Sequence, residues 1–184
     1  MNERELKEAF LKGDREGFQK VVSAFSSEMM ALSLSIVANR EDAEDVCQEA
    51  FLQAFRHSHR FDPEQSLRHW LLTIVYRRSL DFIRKKKRLA SFLNRFKQNF
   101  SLSPSPIGAL HQEKAELNWT EIPLRAFDGL TVRQRAILTL WASEGLTSQE
   151  IAAIIGCRPA TVRVHLFLAR QKIKKWLEKH HEGV

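Results

Sequence analysis

The sequence predicts an all-α protein: two small helical domains joined by a flexible linker, the second a helix-turn-helix domain. Three observations predict it. Strand-like alternation is rare, and only five prolines and seven glycines punctuate 184 residues. Two capping boxes, Thr131 with Gln134 and Thr147 with Glu150, open helices that frame a glycine turn. Ser101 to Pro106, SLSPSP, cannot be helix interior and reads as linker. The expected division is a first domain over 1–100, a linker over 101–119 and a second domain over 120–184.

In order, Leu6, Phe10 and Leu11 mark an apolar stripe that breaks at Gly13-Asp14. Phe18, Val21, Val22 and Phe25 begin the next helix, and the apolar pattern runs on to Val37 before a turn at Asn39-Arg40. Glu41 to Arg56 is strongly amphipathic. Val46, Ala50, Phe51, Ala54 and Phe55 form its inner side, and Asp42, Glu44, Asp45, Gln48, Glu49 and Gln53 the rest. Phe61-Asp62-Pro63 breaks it. Ser66 to Arg88 is the next helix. Trp70, Leu71, Ile74, Leu80 and Ile83 are its apolar positions, and Arg77, Arg78 and the run Arg84 to Arg88 its cations. Leu89 to Phe100 can extend it, with Phe92, Leu93, Phe96 and Phe100 on one side.

A short helix around Ile122 to Phe127 leads into the second domain. Thr131 caps a helix that Gly145 ends, because glycine adopts the left-handed stop at little cost. Thr147 caps the next, which buries Ile151, Ala152, Ile154 and Ile155 and turns at Gly156. Pro159 suits the first turn of the last helix. There Val162, Leu166, Ala169 and Ile173 recur at helical spacing, so one face is core. Such an arrangement places its last helix in the major groove of DNA, N-terminal side chains on base edges.

The net charge of +7 suits an acidic polymer, and its distribution says more than its sum. From Met1 to Ala50, 6 Lys/Arg oppose 11 Asp/Glu, a net of −5. From His69 to Phe100 the balance is 9 against 1, or +8, and from Thr120 to Val184 it is 10 against 6, or +4. One acidic and two basic surfaces imply two kinds of partner. A helix with aromatic rings and a basic end suits melted DNA, with cations on phosphates and rings under unstacked bases.

The chain shows no Gly-rich phosphate loop, nucleophile elbow or zinc spacing. Cys47, His57 and His59 are too few and too loosely spaced for a metal site. No cofactor, metal, small-molecule substrate or catalytic role is therefore expected. Without a signal peptide, Cys47 and Cys157 are expected as free thiols. No apolar run approaches the roughly 20 residues of a membrane span. A cytoplasmic protein with no membrane insertion is the expectation.

Two stretches, Asp42 to Phe55 (DAEDVCQEAFLQAF) and Phe61 to Arg84 (FDPEQSLRHWLLTIVYRRSLDFIR), resemble the first domain of extracytoplasmic-function (ECF) sigma factors. Leu130 to Arg170 resembles their second. The resemblance implies a bacterial transcription initiation subunit that binds core RNA polymerase and promoter DNA, with an anti-sigma factor as a possible further partner. It assigns Asp42, Glu44, Asp45, Gln48 and Glu49 to the polymerase. It assigns Phe61, Trp70, Tyr76, Arg77, Arg78, Arg84 and Lys85 to the minus-ten element. The minus-thirty-five element falls to Arg158, Thr161, Arg163, His165, Arg170 and Lys174.

The chain departs from the family pattern in two places. Arg77 stands where the family has an asparagine that helps select a flipped base, so minus-ten specificity does not carry over. In the last helix Val164 and Leu168 replace polar or basic residues, and His165 replaces an arginine. The string TVRVHL also resembles the recognition helix of LuxR-type regulators, an alternative that the helical first domain argues against. A sigma mimic that titrates regulators is a third reading, weakly opposed by the basic last helix.

Overall fold

The structure is a computed structural model that describes residues 3–99 and 124–181; the expected linker lies outside them. All regular elements in the described residues are helical. The first half holds α1 (Glu3–Lys12), α2 (Arg15–Val37), α3 (Arg40–Arg56) and α4 (Leu67–Asn99), with a short 3₁₀ turn at Ser58–Arg60. The second half holds a 3₁₀ turn at Leu124–Phe127, then α5 (Val132–Ala142), α6 (Ser148–Ile155) and α7 (Pro159–His181).

Helix α2 is the hub of the first half and packs against α1, α3 and α4. Asp14 caps its start, its carboxylate accepting from the Gly17 amide at 2.6 Å. Ala38 ends it in the left-handed conformation, φ 59°. By length and apolar content α2 resembles a membrane span, contrary to the reading of the sequence. Its apolar stripe is nevertheless spent inside: Val21, Phe25, Met29, Leu32 and Ile36 are all buried in the core. The thiol of Cys47 faces that core beside Ser33, and burial pushes its pKa up to about 11. It is a protonated, unreactive packing group, and Cys157 is likewise free.

Helix α4 continues without a break to Asn99, so Leu89 and the residues after it do extend the basic helix. Its buried positions include Leu72, Val75, Tyr76 and Ser79, which periodicity had not singled out. Conversely, Leu11, Leu89 and Phe92 are exposed.

Both capping boxes of the second half form as expected. Thr131 Oγ1 accepts from the Gln134 amide at 3.2 Å, and Gln134 Oε1 from the Thr131 amide at 3.0 Å. Thr147 and Glu150 repeat the exchange for α6. Helix α5 stops at Ala142, with Ser143 as its cap, before Gly145 supplies a positive φ of 63°. Gly156 caps α6 in the left-handed region, φ 76°. The α6–α7 pair bends by 103°, within the range of helix-turn-helix units. All four expected α7 core residues, Val162, Leu166, Ala169 and Ile173, are buried.

Gly17 marks where α1 crosses α2. A Cβ there would sit 2.1 Å from the Ala9 carbonyl oxygen, a backbone atom that no side-chain rotation can move away. Gly17→Ala is expected to push α1 off α2 and to cost about 1–3 kcal/mol. Chemical denaturation of the two proteins measures this; equal midpoints would mean that α1 contributes nothing to the core.

Candidate functional site: an acidic helix, a basic helix and a reading helix

Helix α3 turns Ala43, Val46, Cys47, Ala50, Phe51 and Ala54 inward. Its outer face shows Glu44, Asp45, Gln48 and Glu49, and also Leu52, which is 42% exposed. An exposed leucine one turn after Glu49 gives no sequence signal of its own, and the reading of the sequence missed it. The face is not uniform. Asn39 caps the helix by accepting from the Asp42 amide at 2.8 Å. The Asp42 carboxylate takes Lys86 of α4 at 2.6 Å, and Glu44 takes Arg40 at 3.0 Å. Among the described residues, Asp45 and Gln48 have no ion-pair or hydrogen-bond partner.

The structure sorts the expected minus-ten residues into three groups. Phe61 and Tyr76 are buried, 4% and 3% exposed, and Trp70 is half-buried. Phe61, Trp70 and Phe10 form a ring cluster with centroids 5.3–5.8 Å apart. Rings this large stabilise most when enclosed, so Phe61 and Tyr76 serve the core and offer no face to a base, while Trp70 keeps part of its surface exposed. The expectation of an aromatic stacking platform is corrected to that extent. Arg78 forms the second group: its guanidinium donates to Gln53 and lies 3.9 Å from Glu49, so it ties α4 to α3. Arg77, Arg84 and Lys85 form the third, all exposed, as are Lys87 and Arg88. Arg84 also pairs with Asp81 one turn earlier, at 3.1 Å.

The loop before α4 is held from outside by α1. Glu3 Oε1 accepts from the Ser66 hydroxyl at 2.7 Å and from the Leu67 amide at 3.2 Å, so it serves the unpaired N–H groups of the α4 start. Lys7 Nζ donates to the Pro63 carbonyl at 3.0 Å. These partners lie 56 to 64 residues apart, where no local pattern could reveal them.

On α7 the exposed stripe runs Ala160, Arg163, Val164, Phe167, Gln171 and Lys174, opposite the core stripe. Arg158 is exposed at its start, and Thr161 is half-buried. Val164, Phe167 and Leu168 are 56%, 60% and 40% exposed, so the first domain does not cover this apolar patch. His165 is half-buried and its Nδ1 is enclosed without a partner. Burial, with Arg133 nearby, lowers its pKa, which favours a neutral ring. A neutral imidazole brings no charge to a phosphate, so His165 is a poor replacement for arginine. Arg170 stacks on Trp141, its guanidinium carbon 4.0 Å from the ring centroid. Lys174 lies 3.7 Å from Glu178.

The described residues hold no cluster of three or more His, Cys, Asp or Glu able to bind a metal.

Comparison with known proteins follows these elements closely. Residues 21–89 match the family described as Sigma-70 region 2, and residues 124–173 match Sigma-70, region 4. The chain is similar to the ECF RNA polymerase sigma factor SigE of Mycolicibacterium smegmatis, 28% identical over 89% of this chain. It spans only 62% of that relative's length. It is also similar to the RNA polymerase sigma-H factor of Pseudomonas aeruginosa, 26% identical over 96% of this chain and 94% of that protein. Its fold resembles the sigma factor RpoE of Bartonella quintana, solved in complex with the anti-sigma factor NepR. That match has a TM-score of 0.67 at 20% identity and covers 88% of this chain and 96% of the other.

Proposed function

The chain belongs to the sigma-70 family as an extracytoplasmic-function sigma factor, and from that premise we propose how its surfaces divide the work. Residues 1–100 form the unit that binds core polymerase and the minus-ten element, and 120–184 the unit that reads the minus-thirty-five element. The stretch 101–119 joins them. Polymerase docks on α3 through Asp45, Gln48 and Glu49, with Glu44 at the edge and Leu52 as an apolar contact among them. Asp42 serves mainly within the fold, as the partner of Lys86. The exposed cations Arg77, Arg84 and Lys85 follow promoter DNA, while Phe61 and Tyr76 are buried in the core and Trp70 packs on Phe10 and Phe61. In the major groove Arg158 and Arg163 make the polar contacts, with Val164 and Phe167 beside thymine methyl groups. The protein is a non-catalytic regulator that acts in the cytoplasm, and an anti-sigma factor is a further partner.

The observation that supports this reading best is a pair of sigma-70 regions in the family order, the first bearing an outward acidic face and the second an outward reading helix. A LuxR-type regulator does not account for the region 2 match over residues 21–89.

Run-off transcription with purified core polymerase on a library of promoter sequences tests the function; no specific transcript above core alone would overturn it. Asp45→Arg tests the docking face. It is expected to weaken core binding roughly tenfold and leave the melting temperature unchanged, because an exposed interface charge sets encounter and register rather than folding. Unaltered affinity in a titration would remove Asp45 from the interface.

A further inference from the structure

Helix α4 keeps its inward apolar face after the core it serves has ended. Leu71, Leu72, Val75 and Tyr76 are buried, and Phe82 and Ile83 are half-buried. From Arg84 to Leu89 every residue is exposed. Lys86 reaches Asp42 in the first turn of α3, so beyond it α4 runs past the end of its neighbour. The helix nevertheless continues to Asn99. At about 1.5 Å per residue, residues 87–99 form an overhang of ~20 Å.

Leu89 and Phe92 lie on that overhang, 59% and 58% exposed. At about 3.6 residues per turn, Leu89 stands five turns after the buried Leu71, and Phe92 five turns after the half-buried Ile74. Both therefore continue the face that packs the core. In the sequence Leu93 and Phe96 follow at the same helical spacing. Arg78, about three turns before Leu89, grips Gln53 of α3 from this side. Whatever packs on Leu89 and Phe92 thus lies in line with α3, just past its N-terminal end.

We propose that Leu89 and Phe92 form an apolar docking ledge for core RNA polymerase, continuous with the acidic outer face of α3. The inference rests on the sigma-factor reading. Two large apolar side chains held together in water mark a partner surface, and a helix outside its domain gains order from packing. Phosphates do not fill the ledge: they suit Arg84 and Arg88, which lie roughly 100° or more round the helix from Leu89. Nor does the second half, whose Glu144 and Glu150 meet α4 at Arg68 and His69, ~30 Å away along the helix. Polymerase seated on Glu44, Asp45 and Glu49 comes next to it. The surface that fits both is an apolar patch bordering a basic one.

The test uses the full chain with Leu89→Gln and Phe92→Gln combined, which keeps good helix formers at both positions. Titration with purified core polymerase is expected to show affinity reduced about tenfold or more. The melting temperature of the free protein is expected to stay that of wild type. The salt slope of promoter-complex formation by holoenzyme is also expected to stay, since no phosphate contact is lost. A photo-crosslinking amino acid at position 89, in reconstituted holoenzyme, is expected to join a core subunit. Unaltered core affinity overturns the proposal. So does a lowered melting temperature, or a crosslink formed within the chain or to a second copy, because the ledge then packs without polymerase. If wild type gives no specific transcript with core, the sigma-factor reading fails and the ledge with it; if wild type transcribes and the variant binds core equally well, the ledge alone fails.

Discussion

Replacing Arg84, Lys85, Lys87 and Arg88 together with glutamine is expected to reduce the log–log salt slope of promoter-complex formation by about 3 to 4. Each lost phosphate contact removes about 0.7 to 0.9 from that slope, because each releases a condensed counterion. Over a fourfold rise in salt, the wild type then loses roughly 60-fold more affinity than the variant. Lys86 is left in place because it holds Asp42 at 2.6 Å and so joins α4 to α3. All four replaced residues are exposed on a helix that does not depend on them for packing, so melting should hardly change. The measurement is complex formation by the reconstituted holoenzyme over a salt series. A slope equal to that of wild type would show the run to be a solvated helix end with no part in DNA binding.

Arg163→Ala is expected to cost about 1–3 kcal/mol in binding to the minus-thirty-five element and to relax specificity at one base pair. The structure strengthens this choice among the residues of α7. Arg163 lies on the exposed stripe near the N-terminal end, where a recognition helix sits deepest in the groove. Thr161 is half-buried, and His165 tends to neutrality with one ring nitrogen enclosed. Lys174→Ala supplies the contrast. It lies three turns further on, and its loss should weaken all sequences about equally. The comparison is binding of both variants to single-base variants of the element at fixed salt. If Arg163→Ala lowers affinity uniformly, it contacts phosphate and the readout lies elsewhere on the stripe.

What could be read in the sequence was what depends on near neighbours. The capping boxes at Thr131 and Thr147 were legible because both partners lie three residues apart. The core stripe of α7 was legible because one helix face repeats Val162, Leu166, Ala169 and Ile173. The outer face of α3 followed from the same periodicity. Contacts between distant segments were not legible. Phe61 and Tyr76 looked available to DNA because aromatic residues beside cations suit it, but both are buried in the core, Phe61 against Phe10 of α1. Arg78 and Lys86 looked like further phosphate contacts, yet α3 supplies Gln53 and Asp42 to receive them. Arg135 reaches α2 across 100 residues, and no local pattern marks it.

Two arginines join the first half to the second, Arg135 of α5 reaching α2 and Arg68 of α4 pairing with Glu28 of α2 and Glu144 between α5 and α6, and they differ in how they tolerate change through sequence drift. Arg135 binds only carbonyl oxygens of the main chain, at Ser35, Ile36 and Leu130. Every residue type supplies such an oxygen, so substitution at those three positions leaves its acceptors in place as long as the helix persists. The Arg68 triad is the opposite case. Glu28 and Glu144 repel each other and are both held by the Arg68 guanidinium at 2.7 Å, so a sign change at Arg68 strands both. Arg135 can therefore keep its contact while its acceptors vary freely, whereas Glu28 and Glu144 each keep theirs only while position 68 carries a cation.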